Sequence, residues 1–152
     1  MLDWMDRPIH NEVFAKLIMP AQNVACVEDK NSAEHALLVL IKTRYSAIPV
    51  LSGRTRVVGT ISKTIILDAI LGLERIEVER LADLQVGNLM NTHVPAIQPT
   101  DTVRKAVQLS INQPFLCLVD NDNFAGLVTR RALLAHIFEQ TKVHSSKFTE
   151  KA

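Results

Sequence analysis

The sequence predicts an α/β fold of the α+β type, with two β-α-β-β-α repeats packed face to face in one pseudo-two-fold module. Three observations lead there. Short apolar runs of strand length alternate with segments of helical period along the whole chain. The order strand, helix, strand, strand, helix then occurs twice, with Val94-Pro95-Ala96-Ile97 matching Val24-Ala25-Cys26-Val27. Phe124-Ala125-Gly126-Leu127-Val128-Thr129 likewise matches Val57-Val58-Gly59-Thr60-Ile61-Ser62, and Leu89-Met90 matches Ile18-Met19. Neither copy is large enough to bury its own sheet, so each must serve as the cover of the other.

In order, residues 1–9 read as a loose lead-in, 10–72 as the first repeat and 73–86 as a charged connector helix. Residues 87–140 form the second repeat, and 141–152 form a flexible tail. A short helix over 10–18 would use Val13, Phe14, Leu17 and Ile18, and Pro20 would end it. Val24-Ala25-Cys26-Val27 suits a short strand. Asn31 or Ser32 caps the next helix, whose buried face is Ala36, Leu37, Leu40 and Ile41. Ala47-Ile48-Pro49-Val50-Leu51 reads as a strand, with Pro49 indicating an edge or a bulge. Ser52-Gly53-Arg54-Thr55 turns the chain into a second strand ending at Ile61, and Ser62 caps a helix through Ile65, Ile66, Ala69 and Ile70. The second repeat follows suit. Its last strands are Phe115-Leu116-Cys117-Leu118-Val119 and the run into Thr129, and Ala132 to Phe138 supply the last apolar period.

Composition excludes several classes of function. Seventeen basic against sixteen acidic residues give a net charge of +1, which argues against a general nucleic-acid or membrane-surface role. The N-terminal stretch has no basic n-region, and no apolar run approaches the ~20 residues of a membrane-spanning helix, so a cytoplasmic protein is expected. Cys26 and Cys117 lie apart in apolar runs and read as reduced core thiols. The five histidines are scattered, and no metal cluster, carboxylate dyad or nucleophile–base pair emerges, so no enzyme, metal or cofactor is expected.

The informative stretch is Gly126-Leu127-Val128-Thr129-Arg130-Arg131. A strand that runs straight into a helix leaves main-chain N–H groups unpaired at the helix start, where Thr129 can cap one. Arginine in a first turn faces the positive end of the helix dipole, which disfavours cations by some tenths of a kcal/mol. Phosphate would relieve that conflict, and Arg130 and Arg131 offer planar, permanently charged forks for it. Taken alone, such a pair is more simply a solvated helix turn; the repeat context favours phosphate.

The repeat resembles a tandem pair of CBS domains, often called a Bateman module, over about residues 12 to 140. The shared features are Met near each repeat start, the strand pairs around Pro49-Val50 and Leu118-Val119, and Gly-x-x-Ser/Thr before each last helix. The chain is similar in particular to the small stand-alone bacterial CBS pairs that bind cyclic di-AMP. The matching residues are Glu34-His35-Ala36-Leu37-Leu38-Val39-Leu40, Lys42-Thr43, Tyr45, Ala47-Ile48-Pro49-Val50, Gly72-Leu73-Glu74-Arg75-Ile76-Glu77 and Thr129-Arg130-Arg131. That resemblance implies a non-catalytic homodimer that binds the messenger between its repeats. It also implies a regulated partner enzyme, including the synthetase and hydrolase of the guanosine alarmone.

The same resemblance implies a ligand site made of Asn23, Val24 and Ala25, of Tyr45, Ser46 and Ala47, and of Thr129, Arg130 and Arg131. Small side chains at Ala25 and Ala47 would admit a flat purine, and Tyr45 either packs on the protein or stacks on a base. Adenine mononucleotide sites of the family carry Ser/Thr-x-x-Asp, the Asp holding the ribose diol; Ile65 and Ala132 stand there in this chain. A cyclic 3′,5′-dinucleotide has no free diol, and a carboxylate ~4 Å from its phosphate would repel it by ~4 kcal/mol at an effective dielectric near 20. Cyclic di-AMP is thus expected over AMP, ADP or ATP; a mononucleotide sensor and a ligand-independent interaction module are the alternatives. Asn23 stands where the family commonly has lysine, which removes a charged hydrogen bond of ~1.5–3 kcal/mol. A second cleft would use Ser62-Lys63-Thr64, His93-Val94-Pro95 and Gln113-Pro114-Phe115, and its prolines and Phe115 should leave it empty or weak.

Overall fold

The computed structural model describes residues 3–9 and 14–150, except the side chains of residue 3 and of 143–150. Two sheets face one another. The first unit has β2 (Val27–Glu28), α1 (Ala33–Thr43), β3 (Ala47–Ser52), β4 (Arg56–Ser62) and α2 (Lys63–Ala69), with sheet order β2-β3-β4. The second unit has a short helix α3 (Val86–Leu89), then β5 (Ala96–Ile97), α4 (Val103–Ser110), β6 (Phe115–Asp120), β7 (Asn123–Thr129) and α5 (Arg130–Glu150). Its sheet runs β1-β7-β6-β5, and β1 (Met19–Pro20) comes from the start of the first repeat.

This exchange of strands is reciprocal. Met19 and Pro20 pair antiparallel with Leu127 and Gly126, while Asn91, next to the matching Met90, bridges to Thr60 of β4. A glycine makes each crossing possible. A Cβ on Gly126 would lie 2.5 Å from the Met19 carbonyl oxygen, and one on Gly59 would lie 2.7 Å from the Asn91 carbonyl oxygen. The repeated Met and Gly of the sequence are therefore one feature: a chain segment laid across a strand too closely for any side chain.

Ser32, Ser62, Thr102 and Thr129 each cap a helix, accepting from the N–H three residues on at 3.0–3.2 Å. Each such cap contributes ~1 kcal/mol. One core lies within the first unit (Val27, Leu40, Ile48, Ile61, Ile66) and another within the second (Ile97, Val103, Leu116, Val128, Leu133). A third joins the two sheets through Leu51, Phe115, Cys117, Phe124 and Leu127. Burial pushes the Cys117 thiol up to about 12 and raises that of half-buried Cys26, and both are free thiols.

Five expectations need correction. The lead-in is not loose: the Ile9 N–H donates to the Asp101 carbonyl (2.8 Å), Asp6 pairs with Arg104 (2.9 Å), and Ile9 and Phe14 are buried in the second unit. The helix expected over 10–18 is a 3₁₀ turn at Ala15–Leu17, with 10–13 outside the described residues. The strand expected at 24–27 is Val27–Glu28, because the preceding Ala21–Asn23 turn bends the chain past β7. Pro49, expected at an edge or a bulge, meets that expectation: it is in the central strand β3, on the part that β2 does not pair, beside a bulge at Val50/Leu51.

The connector is not a helix beyond the single 3₁₀ turn Val78–Arg80. Its carbonyls are needed elsewhere: Leu84 and Leu81 accept from Ala33 and Glu34 (2.7 and 3.1 Å), closing the open N-terminus of α1. Conversely, the segment expected to be flexible from Thr141 is helical to Glu150. With neither Gly nor Pro after Gly126, a helix already nucleated at Thr129 extends cheaply.

Candidate functional site

A cleft of about 280 Å³ opens where the two sheets meet. From the first unit it takes Val24, Ala25, Tyr45, Ser46 and Ala47, and from the second Thr129 and Arg131. Seven of the nine expected site residues are thus brought together, from three separate stretches of chain. The rest of the lining is apolar, with Met19, Ile48, Pro49, Pro114, Phe115 and Leu127. The rim is polar and exposed at Tyr45, Ser46 and Arg131. An apolar interior with few polar groups at its mouth suits a planar heteroaromatic ring carrying a charged substituent.

The local chemistry explains each placement. Thr129 Oγ1 accepts the Ala132 N–H at 3.0 Å, which leaves its own hydroxyl proton free to donate into the cleft. Ser46 turns its carbonyl to the Lys63 N–H (3.2 Å), tying the loop before β3 to the start of α2. Arg131 lines the cleft, and among the described residues no acidic side chain pairs with it. Among the described residues no carboxylate lines the cleft. Ala132, the position where a diol-binding Asp would stand, does not line it either.

Two expected residues lie elsewhere. Arg130 turns away: its N–H donates to the Pro114 carbonyl (3.0 Å), and its Nη1 reaches the Ser110 and Ile111 carbonyls (both 3.4 Å). There it serves the C-terminal end of α4, whose carbonyls have no helical donors. Asn23 ends its 3₁₀ turn exposed and is not a lining residue.

Pro114 and Phe115, expected to obstruct a second cleft, line this one instead. The repeat pattern held the signal for this. Phe115 is the counterpart of Ala47, and a pseudo-two-fold axis brings both strand starts to the same crevice. A separate depression of about 330 Å³ has His93, Val94, Pro95 and Gln113 but none of Ser62, Lys63 or Thr64. This depression therefore does not join those residues to the start of α2. Among the described residues no group of three or more His, Cys, Asp or Glu converges on a point, and no helix is long and apolar enough to cross a membrane.

Comparison with known proteins is consistent with this architecture. The CBS domain model matches residues 15–72 and again 86–139. The chain is 42% identical over 124 residues to the cyclic di-AMP receptor B of Bacillus subtilis (strain 168), covering 80% of this chain and 84% of that protein. A hypothetical conserved protein of Geobacillus kaustophilus is 48% identical with a TM-score of 0.78, over 82% of this chain and 95% of that one. The Listeria monocytogenes CbpB protein in complex with c-di-AMP is 44% identical with a TM-score of 0.79, over 88% of this chain and 99% of that one. Two matched units, exchanged lead strands and a cleft at their junction lead to one assignment: the chain belongs to the CBS domain family, as a tandem pair.

Proposed function

We propose that the chain is a non-catalytic sensor that binds cyclic di-AMP in the cleft between its repeats. The observation that carries this is the lining itself, where Arg131 and Thr129 stand at the mouth of an apolar slot with no carboxylate among the described residues. One adenine would enter between Ala25, Ala47 and Phe115. A phosphodiester would then meet Arg131, the Thr129 hydroxyl and Ser46. The cleft lies just under the roughly 300–1,000 Å³ usual for ligand pockets, so the second adenosine would rest over the rim near Tyr45. A mononucleotide would find no carboxylate to hold its ribose diol among these lining residues. The names of the Bacillus subtilis relative and of the Listeria monocytogenes complex support the same ligand.

The sensor would act as a homodimer on a partner enzyme, with the alarmone synthetase/hydrolase as the proposed partner. Leu38 and Ile41 on α1, Leu67 on α2, and Leu134 and Phe138 on α5 are exposed and offer apolar helix faces for the dimer. Ligand would regulate the partner by population shift, which requires only different affinity in two states. The Ser46–Lys63 hydrogen bond supports a route for it, since α2 leads from the cleft rim to the connector.

Calorimetry tests the reading, with cyclic di-AMP beside AMP, ATP and cyclic di-GMP, on wild type and Arg131→Ala. Selective cyclic di-AMP binding that the substitution weakens is the expected result. Tighter AMP or ATP binding would sink the argument from the missing carboxylate.

A further inference from the structure

The connector is the part of the surface that neither the cleft nor the helix faces account for. Within eight residues it exposes Leu71, Leu73, Ile76 and Val78, with Leu73 fully in solvent. A surface loop that keeps four large apolar side chains in water calls for an explanation. The loop is also ordered. Leu71 bridges antiparallel to Ile76, the Gly72 N–H donates to the Arg75 carbonyl (2.9 Å), and the Glu77 N–H donates to the Ile70 carbonyl (2.7 Å). Arg80 reaches the Ala69 carbonyl (3.1 Å) and Glu77 (3.3 Å), and Arg75 pairs with Glu79.

We infer that loop 71–80 is a protein-docking epitope for a partner whose surface offers an apolar groove edged with Lys or Arg. The inference deepens, and rests on, the reading that this chain works through a partner protein. Pre-ordering the loop removes much of the entropic cost of presenting apolar anchors. Charge then selects the occupant. Between Asp68 and Asp83 there are five acids and two arginines, in a chain whose net charge is +1. Both arginines are engaged by acids of the loop, so exposed Asp68, Glu74 and Asp83 set the sign of the surface. A second copy of the loop across a two-fold axis would bring like charges together. An anionic membrane surface would repel it for the same reason. A basic, apolar-lined protein groove satisfies both the apolar and the acidic groups.

The test places a photoreactive benzophenone side chain at position 73, and at position 54 in the exposed Gly53–Arg54 turn as control, in the full chain in cells. Adducts are mapped by mass spectrometry. The expected result is an adduct from position 73 alone, on a Lys/Arg-bearing peptide of one identified protein. With that protein purified, Leu73→Ser/Val78→Ser should bind it roughly tenfold or more weakly, with melting temperature and cyclic di-AMP affinity unchanged. No adduct, a self-adduct, a lipid adduct, or unchanged affinity in the double variant would each overturn the proposal. Failure here is distinct from failure of the ligand reading. Calorimetry with cyclic di-AMP uses Arg131, away from the loop, and either experiment can fail while the other succeeds.

Discussion

The Arg130 N–H donates to the Pro114 carbonyl at 3.0 Å, and beyond this bond two adjacent arginines part. The Arg130 guanidinium goes to the carbonyls that end α4, at Ser110 and Ile111, while Arg131 lines the cleft. Adjacent residues on a helix point about 100° apart, so one first turn cannot aim both at the same anion. The doublet Arg130-Arg131 is therefore one structural arginine and one facing the cleft.

The two substitutions should separate accordingly. Arg131→Ala should cost cyclic di-AMP ~1.5–3 kcal/mol, roughly ten- to 150-fold in Kd by calorimetry, with little change in melting temperature. Arg130→Ala should instead lower stability by about 1 kcal/mol in denaturant titration while leaving Kd within roughly twofold.

Tyr45 is exposed at the cleft rim, so its removal should barely affect folding. Base–aromatic stacking contributes ~1–3 kcal/mol by alanine substitution, so Tyr45→Ala should weaken cyclic di-AMP binding by that amount. Tyr45→Phe should retain it. Equal binding by all three proteins would mean that Tyr45 only packs against the protein.

Gly126→Ala should be among the most destabilising small substitutions in the chain. Its Cβ would meet the Met19 carbonyl oxygen at 2.5 Å and Ile18 Cγ2 at 2.8 Å, and the first of these is main chain that cannot swing aside. A loss of about 1–3 kcal/mol is expected in chemical denaturation. Gly59→Ala should behave alike, since its Cβ would lie 2.7 Å from the Asn91 carbonyl oxygen.

The Cys117 thiol, pushed up to about 12 by burial, should resist maleimide in the native protein at pH 8, whereas half-buried Cys26 should react slowly. The linkage has a definite sign. Below the ordinary thiol value of 9.0 both folded and unfolded chains hold this proton, so the group has no effect on the pH dependence. Above 9.0 the unfolded chain releases it and the folded chain does not, so stability falls with rising pH until about 12. Cys117→Ala should reduce the slope of stability against pH in that window, as followed by denaturant midpoints.

The sequence by itself determined the two repeats and the caps at Ser62 and Thr129, with Asn31 or Ser32 open at α1, and its resemblance to CBS pairs named seven residues of the cleft. The repeats and the caps rest on local chemistry, an apolar period and a Ser or Thr at the strand–helix junction, whereas the cleft residues followed from the resemblance to CBS pairs. Tertiary structure alone decided four things. Met19 and Pro20 crossed to the second unit's sheet because only there does Gly126 leave room for the chain. The connector gave up its helical pattern because the N-terminus of α1 needs the Leu81 and Leu84 carbonyls. Phe115 came to the same crevice as its counterpart Ala47 because the pseudo-two-fold axis passes between the strands that carry them. Arg130 left the cleft for the Ser110 and Ile111 carbonyls, about twenty residues away in sequence. Each is a contact between distant stretches, formed to satisfy main-chain groups or to fill space, and a one-dimensional pattern holds no record of which distant group needs a partner.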